Sequence, residues 1–134
     1  MADTLVDSNV LLDVVTEDDE WFEWSAERLA EAASAGAIVI NPIIYAEVSA
    51  GFHRIEELDD ALPPTYYRRH ALPWAAAFLA GQCFVKYRRR GGQRRSPMPD
   101  FYIGAHAAIA GLTLLTRDAG RYRDYFPTLR VVAP

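Results

Sequence analysis

Short apolar segments alternate with helical patterns along most of this chain, and that alternation limits the fold more than any other feature. The apolar segments have the length and the β-branched content of buried strands, and they cover residues 4–6, 37–40, 112–116 and 130–132. Strands that alternate with helices and are apolar on both faces are typical of parallel sheets. The sequence therefore predicts an α/β domain with three layers, in which helices cover both faces of a mostly parallel sheet.

Caps and helix breakers place the helices between these strands. Asn41-Pro42 is an N-cap followed by proline at the first helical position, Pro63-Pro64 ends a helix, and Pro73 begins a longer one. The predicted helices cover residues 8–14, 21–33, 42–52, 54–62, 73–87 and 101–110. We expect an irregular stretch between residues 63 and 73.

Length and composition predict a single domain over residues 1–134, of which 51% are hydrophobic. No basic region leads into an apolar stretch near the N-terminus, and no apolar window is long enough to cross a bilayer. Cys83 is the only cysteine, which excludes an intramolecular disulfide and a zinc site built from several cysteines. We therefore expect a cytoplasmic protein that makes no membrane contact.

Four acidic residues lie where such a fold would bring them together. Asp7 and Asp118 each follow an apolar strand, Glu47 lies on the apolar face of its helix, and Asp100 begins another helix. Open α/β sheets form their functional crevice beyond the carboxyl ends of the strands. Carboxylates that converge there repel one another unless a cation compensates them, and Mg²⁺ takes oxygen ligands of this kind. The spacing therefore predicts a site for a divalent metal ion.

The helix that begins at Asp100 carries a stripe of small residues on one face, formed by Gly104, Ala107 and Ala108. Small side chains let a helix backbone approach its neighbour closely. We expect this stripe to pack against the sheet and to carry Asp100 to the edge of the crevice.

The basic residues are distributed unevenly along the chain. The formal net charge of −4 argues against a protein that coats nucleic acid non-specifically, yet six of the 14 basic residues lie between Lys86 and Arg95. The other 8 basic and 18 acidic residues give a balance of −10. Arginine binds phosphate oxygens through paired hydrogen bonds, and we expect Gly91-Gly92 to form a flexible hinge in this segment. The arginines of this basic segment are Arg88, Arg89, Arg90, Arg94 and Arg95.

Three motifs, in chain order, resemble the acidic motifs of the PIN-domain ribonucleases. They are DSNVLLD at residues 7–13, PIIYAE at residues 42–47 and LTRD at residues 115–118. The segment RRSPMPDFYIGAHA at residues 94–107 is similar to the VapC-type toxins of bacterial toxin-antitoxin systems in particular. The resemblance covers nearly the whole chain.

This resemblance implies an endoribonuclease that depends on Mg²⁺ or Mn²⁺, acts as a toxin, forms a homodimer and is held inactive by a cognate antitoxin. The implied catalytic residues and metal ligands, acting directly or through water, are Asp7, Glu47, Asp100 and Asp118. The ion would lower the pKa of bound water and stabilise the charge that grows on the phosphorane oxygens, and both one and two ions fit the motifs. Asn9 is expected to orient Asp7 or a bound water, and Thr116 to orient Asp118. The basic segment would contact the RNA or, alternatively, the antitoxin.

Several of these residues have simpler alternative roles. Asp7 and Asp100 could each serve only as a helix N-cap. Asp124 is an alternative to Asp118 as the fourth acid, although Asp118 lies nearer the end of its strand. Asp13 falls nearly two helical turns beyond Asp7, so we expect it to face solvent and leave it out of the site.

The remaining distinctive side chains are expected to be structural. His106 has no neighbouring histidine or cysteine ligand in the sequence and is predicted to be a hydrogen-bonded residue of the core. Cys83 is predicted to be a small buried hydrophobe. Trp21, Trp24 and Trp74 are predicted to be core or interface aromatics.

Two other classes of function stay open at this point. A receiver domain, which accepts a phosphoryl group, also clusters acids and Mg²⁺ at the carboxyl end of a parallel sheet. It would need paired acids after the first strand and a lysine beyond a late strand, whereas the only lysine here is Lys86. A non-catalytic module that binds RNA or a protein partner would not need the full set of acids. The sequence predicts neither the RNA target nor the identity of the antitoxin.

Overall fold

Five parallel strands form the sheet at the centre of the structure, a computed structural model that describes residues 2–134. The strands are β1 (Thr4–Val6), β2 (Ile38–Ile40), β3 (Tyr67–Arg69), β4 (Thr113–Leu115) and β5 (Val131–Val132). Their order in the sheet is β3-β2-β1-β4-β5, and every neighbouring pair is parallel. The predicted α/β fold with a parallel sheet is therefore confirmed.

Within residues 2–134, seven helices connect and cover these strands. They are α1 (Ser8–Val15), α2 (Phe22–Ala35), α3 (Pro42–Ser49), α4 (Ile55–Ala61), α5 (Trp74–Arg89), α6 (Pro99–Ala110) and α7 (Gly120–Tyr125). Right-handed crossovers put α1 to α4 on one face of the sheet and α5 to α7 on the other. The packing agrees, because α1 contacts α2 and α3, whereas α6 contacts α5 and α7. Within residues 2–134 no helix combines the length and the apolar character needed to cross a membrane.

Two elements differ from the sequence prediction. Strand β3 lies in the stretch that was predicted to be irregular, and helix α7 was not predicted at all. In β3 only Tyr67 is buried, because the strand lies at the edge of the sheet and its two arginines are exposed. Helix α7 has only six residues, of which Tyr122 alone is buried. Neither element has the apolar periodicity on which a prediction from sequence depends.

The two helical layers meet through a buried hydrogen bond at the carboxyl edge of the sheet. Asn41 caps α3, with its Oδ1 accepting a bond from the backbone N–H of Ile44 at 2.9 Å. Its amide nitrogen also lies 2.9 Å from Nδ1 of His106 on α6. Burial lowers the pKa of His106, so the neutral ring is favoured. The prediction that His106 is a structural residue agrees with this bond, and Cys83 is buried as predicted.

The small-residue stripe of α6 serves a different contact from the one expected. A Cβ on Gly104 would lie 2.3 Å from the ring of Phe126, a residue that follows α7, so the glycine makes room for that ring and not for the sheet. Ala107 is buried as expected, but Ala108 is exposed. The glycine is needed because the Phe126 ring packs directly on the α6 backbone.

The prediction that Asp13 faces solvent is wrong, because its side chain is buried. Its two carboxylate oxygens accept hydrogen bonds from Arg117, at 2.9 Å from Nε and 3.0 Å from Nη2. Ser25 Oγ donates a third bond of 2.7 Å. Asp13 lies nearly two helical turns beyond Asp7, which suggested an exposed position. In the structure, however, α2 and the segment after β4 both pack over this turn of α1. Asp13 therefore links three segments that are distant in sequence.

We expect Asp13→Asn to destabilise the fold by about 2 kcal/mol, because it leaves the partly buried Arg117 guanidinium without its counter-charge and disrupts the bonds of a buried carboxylate. The free energy of unfolding from urea titration would measure this change. Asp124→Asn is the matched control, since Asp124 pairs with Arg90 at an exposed position, and it should cost less than about 1 kcal/mol. Equal effects of the two substitutions would contradict the structural role of Asp13.

Candidate metal centre

The candidate site lies at the carboxyl edge of the sheet, between β1 and β4. These strands are neighbours in the sheet, and the connections that leave them run toward opposite edges, which is the arrangement in which α/β proteins bind ligands. Asp7 directly follows β1, and its backbone N–H donates to Leu115 O of β4 at 2.9 Å. Thr116 directly follows β4 and is fully buried. The sheet itself therefore fixes where Asp7 and Thr116 lie.

The buried carboxylate of Asp7 accepts hydrogen bonds on both of its oxygens. Oδ1 accepts from the backbone N–H of Ser8 at 2.8 Å, so Asp7 does cap α1. Oδ2 accepts from Thr116 Oγ1 and from the Tyr122 hydroxyl, both at 2.9 Å. The capping alternative is thus correct but incomplete, because the second oxygen faces the other residues of the site.

Glu47 reaches the same place from α3, as its position on the inward face of that helix predicts. Ser8 Oγ donates to Glu47 Oε1 at 3.0 Å and lies 3.5 Å from Asp7 Oδ1. The Ser8 hydroxyl therefore stands between the two carboxylates. Glu47 is half-buried, so it remains open to solvent on one side.

Asp100 approaches from the opposite helical layer, in the first turn of α6. The N-cap of that helix is Met98, so the alternative in which Asp100 is only an N-cap is wrong. The Tyr122 hydroxyl lies 3.3 Å from Asp100 Oδ1 and bridges it to Asp7. Arg121 Nη1 lies 3.3 Å from Asp100 Oδ2 at a partly exposed position.

The electrostatics show that these three carboxylates influence one another. Burial raises the pKa of Asp7, and the charge of Asp100 raises it further, although the hydrogen bonds from Thr116 and Tyr122 act in the opposite direction. Burial also raises the pKa of Glu47, and the charges of Asp7 and Asp100 add to this effect. The site therefore concentrates negative charge that the surrounding residues compensate only in part.

Asn9 and Thr116 support the site, although Thr116 does so through a different partner from the one predicted. The Thr116 hydroxyl binds the carboxylate of Asp7, while it meets only the backbone of Asp118. Asn9 Nδ2 donates to Thr116 Oγ1 at 3.3 Å, and Asn9 Oδ1 accepts from the backbone N–H of Arg117 at 3.1 Å. Asn9 therefore acts on Asp7 through Thr116.

The fourth acid is the least defined of the predicted site residues. Asp118 follows Thr116 by two positions, and its side chain is exposed. Asp124, the alternative, lies on α7 and forms a 3.0 Å ion pair with Arg90 of the basic segment. That pair occupies the Asp124 carboxylate, so Asp118 stays the predicted fourth acid.

Sequence reasoning missed three residues of the site, which are Ser8, Arg121 and Tyr122. Ser8 could have been noticed because it lies beside Asp7 in the first motif. Tyr122 and Arg121 lie on the unpredicted helix α7, and Tyr122 meets Asp7 across 115 positions of sequence. No local pattern marks a contact of that kind.

The chemistry of this donor set fits a hard divalent cation. Asp7, Glu47 and Asp100 offer carboxylate oxygens, which Mg²⁺ and Mn²⁺ prefer, and two of these acids have raised pKa values that a cation would lower. In the observed conformation, however, no three His, Cys, Asp or Glu side chains of residues 2–134 lie close enough together to form a metal-binding group. The hydroxyls of Ser8 and Tyr122 lie between the carboxylates and bridge them, and Mg²⁺ commonly retains waters between itself and some of its ligands.

The basic segment covers the last turn of α5 and the loop that leads toward α6, and its arginines have different surroundings. Arg88 Nη1 donates to the carbonyls of Gly92 and Arg94, at 3.2 and 3.0 Å, and so holds the loop that follows α5. Arg90 pairs with Asp124. Arg89, Arg94 and Arg95 are exposed.

The glycine pair of the basic segment is not the flexible hinge that was expected. The backbone N–H of Gly92 donates to Tyr87 O at 2.9 Å, and a Cβ on Gly92 would collide with the Tyr87 ring. Gly91 has a φ of 93°, in the left-handed region that favours glycine. The pair therefore follows the end of α5 in a conformation and a close contact that require glycine.

Comparisons with known proteins agree on one fold. The chain resembles VapBC2 from Rickettsia felis bound to a promoter DNA fragment, with 18% identity, a TM-score of 0.72 and 98% coverage of each chain. It resembles DNA-bound VapBC from Salmonella typhimurium with 20% identity and a TM-score of 0.71, covering 99% of this chain and 98% of that one. VapBC-1 from nontypeable Haemophilus influenzae gives 16% identity and a TM-score of 0.72, with coverage of 97% and 96%.

No curated protein matches the sequence significantly. The PIN domain family matches residues 4–125, a range that contains every strand but β5 and every residue of the site. On this match, and with an architecture that agrees, the chain belongs to the PIN domain family.

Proposed function

We propose that this protein is a metal-dependent endoribonuclease and the toxin of a toxin-antitoxin pair. PIN domains are generally nucleases that use divalent metal ions, so membership of the family supports the nuclease class. The observation that carries the proposal is the meeting of Asp7, Glu47 and Asp100 from three separate elements, joined by the hydroxyls of Ser8 and Tyr122. Buried acids that only stabilised the fold would be paired with cations, as Asp13 is with Arg117.

Asp7, Glu47 and Asp100 would hold the ion, with Asp118 as the proposed fourth ligand. A bound Mg²⁺ or Mn²⁺ lowers the pKa of water and stabilises negative charge on the phosphoryl oxygens. Neighbouring side chains hold the carboxylates of the site in position. Thr116 and the Ser8 N–H fix the rotamer of Asp7, and Tyr122 sets its separation from Asp100.

Two residues have roles around the reacting phosphodiester. Glu47 is half-buried and remains open to solvent on one side, so it can orient a water beside the ion that it helps to hold. The Arg121 guanidinium lies beside Asp100 and is partly exposed, so it can donate to a non-bridging oxygen of the phosphate.

We assign Arg94 and Arg95 as the RNA contacts of the basic segment. Both are exposed and lie on the loop that leads into α6 and Asp100. Arg88 and Arg90 instead stabilise the loop and its contact with α7. Antitoxin contact is the competing role for the same arginines.

The proposed partners are RNA, a cognate antitoxin and a second copy of this chain. Proteins with this fold include VapBC assemblies and a toxin-antitoxin complex from Klebsiella pneumoniae, which supports an antitoxin partner. A non-catalytic binding module is the second candidate. Binding alone, however, would not require three carboxylates that repel one another at one site. The receiver alternative has little support, because the only lysine, Lys86, lies on α5 and not beyond a late strand.

The direct test is cleavage of total cellular RNA with and without Mg²⁺ or Mn²⁺. Asp7→Asn and Asp100→Asn should each reduce the rate by at least about a hundredfold, because each removes a charge that holds the ion. Asp124→Asn is the matched control and should cleave at close to the wild-type rate, because its carboxylate pairs with Arg90. If the two site variants cut RNA as fast as wild type, the site assignment is wrong.

Metal binding should also stabilise the fold in a pH-dependent way. Since the folded-state pKa values of Asp7 and Glu47 are raised, these groups cost stability once the pH exceeds their unfolded values, and the cost disappears below them. We expect Mn²⁺ to raise the melting temperature at neutral pH and to lose this effect as falling pH protonates the two acids.

The Asp7→Asn variant provides the control for the melting experiment. It should melt at a higher temperature than wild type in metal-free buffer at neutral pH and respond little to Mn²⁺. Stabilisation of this variant by Mn²⁺ to the same extent as wild type would place the ion elsewhere.

The RNA role of the basic segment predicts a change in salt dependence. Replacing Arg94 and Arg95 together by alanine should reduce the slope of log K against log salt by about 1.4, the value for two phosphate contacts on a single strand. Binding of a short RNA to the Asp7→Asn background, which prevents cleavage, would be measured across a salt series. Arg54→Ala with Arg68→Ala removes the same charge elsewhere and should leave the slope unchanged, whereas an unchanged slope for the Arg94 and Arg95 pair would contradict the assignment.

A further inference from the structure

A cavity of about 360 Å³ opens at the carboxyl edge of the sheet, beyond the ends of β2 and β3. Its walls are mostly apolar and include Pro42 and Tyr45 of α3, Ile55 at the start of α4 and Ala71 after β3. Pockets that bind small ligands have volumes from about 300 Å³ upward, so this cavity has room for one small ring system. We call it the β3 pocket.

The strand register places the β3 pocket beside the candidate metal centre. The pairing of β1 with β2 puts Asp7 level with Asn41, and the pairing of β2 with β3 puts Asn41 level with His70. Asn41 and His70 both line the pocket. Because neighbouring strands lie about 4.8 Å apart, the pocket begins about 5 Å from Asp7 and extends to about 10 Å along the edge. A single strand held at the metal centre therefore reaches the pocket within about one to three nucleotides.

Tyr45 and Arg69 form a flat stack in the wall of the pocket. The guanidinium carbon of Arg69 lies 5.0 Å from the centroid of the Tyr45 ring. Asp59 holds both groups, because it accepts hydrogen bonds of 2.7 Å from the Tyr45 hydroxyl and from Arg69 Nη2. Unpaired nucleobases stack on aromatic rings and on guanidinium planes. The pocket therefore offers a flat surface whose orientation is already set.

The charges around the pocket favour an uncharged flat ligand. Asp59 balances the charge of Arg69, and α4 carries three further acids, Glu56, Glu57 and Asp60. These acids repel phosphate groups, so the backbone of a nucleic acid would stay on the side of the metal centre while only a base enters the pocket. An aliphatic side chain of a protein partner has no flat face and would gain less from the Tyr45 and Arg69 stack.

We propose that the β3 pocket binds one unpaired nucleobase of the RNA, from a nucleotide close to the one that is cleaved. This inference rests on the proposed ribonuclease function and adds a subsite to it. A base held on the Tyr45 and Arg69 stack fixes the register of the strand, so that one phosphodiester lies at the carboxylates of the metal centre. The substrate class is single-stranded RNA, because a base within a duplex is already stacked on its neighbours.

Binding of a short single-stranded RNA, about ten nucleotides long, tests the pocket. The RNA is selected from a random-sequence pool by binding to the full chain with Asp7→Asn, which prevents cleavage. It is then made with an abasic site at each position in turn. One abasic position should weaken binding by about tenfold, because the loss of that base removes its stacking in the pocket.

A substitution that fills the pocket tests the same contact from the side of the protein. Ala71 is exposed and lines the pocket, so Ala71→Phe blocks it without disturbing the core. This variant should bind the intact RNA about tenfold more weakly and lose nothing further with the RNA that lacks the pocket base, because both changes remove one contact. Its salt dependence should be unchanged, since no phosphate contact is lost. Ala108→Phe changes an exposed alanine on α6 and is the matched control, with unchanged binding.

Three results would overturn the proposal. If every abasic RNA binds equally well, or if Ala71→Phe binds the intact RNA normally, the pocket holds no base, while the ribonuclease proposal stands. Normal RNA binding by Ala71→Phe is also the result expected if the pocket instead receives an apolar side chain of a protein partner. A pool from which the chain selects no RNA would overturn the pocket and the ribonuclease proposal together.

Discussion

The burial of Asp7 beside two other carboxylates is the interaction on which the arrangement of the site depends. Burial and the charge of Asp100 both raise its pKa, and the surrounding structure offsets this cost with hydrogen bonds from Ser8, Thr116 and Tyr122. These donors come from α1, from the end of β4 and from α7. The order of the strands and the short helix α7 are therefore both needed to position one carboxylate.

The chain contains two groups of buried acid, and they differ in how the charge is compensated. Asp13 has its cation within the fold, since Arg117 holds both of its oxygens and Ser25 adds a hydrogen bond. Among residues 2–134, Asp7 and Glu47 have hydroxyl partners but no ion pair, and Arg121 pairs with Asp100. The first group is complete without a ligand. The second is not, which is the physical basis for assigning a cation to it.

Local patterns were sufficient to predict most of the architecture and the approach of Asp7, Glu47 and Asp100 to one edge of the sheet, while their role as metal ligands stays a prediction. Asp7 follows an apolar strand, and Glu47 faces inward from a helix that begins at Asn41-Pro42, so both positions follow from short segments. The failures involve contacts across long separations. The burial of Asp13 depends on Arg117, 104 positions away, and the role of Tyr122 depends on an edge helix without an apolar stripe. Such contacts become visible only once the strands are in order.

At the proposed site Asp7, Glu47 and Asp100 share one ion, with the hydroxyls of Ser8 and Tyr122 between them. Anomalous diffraction from a crystal soaked in Mn²⁺ tests this most directly. We expect a peak about 2.1 Å from carboxylate oxygens of at least two of the three acids. The third acid should lie either at the same distance or one water molecule farther from the ion. A fully loaded crystal whose manganese lies away from these residues would contradict the central claim.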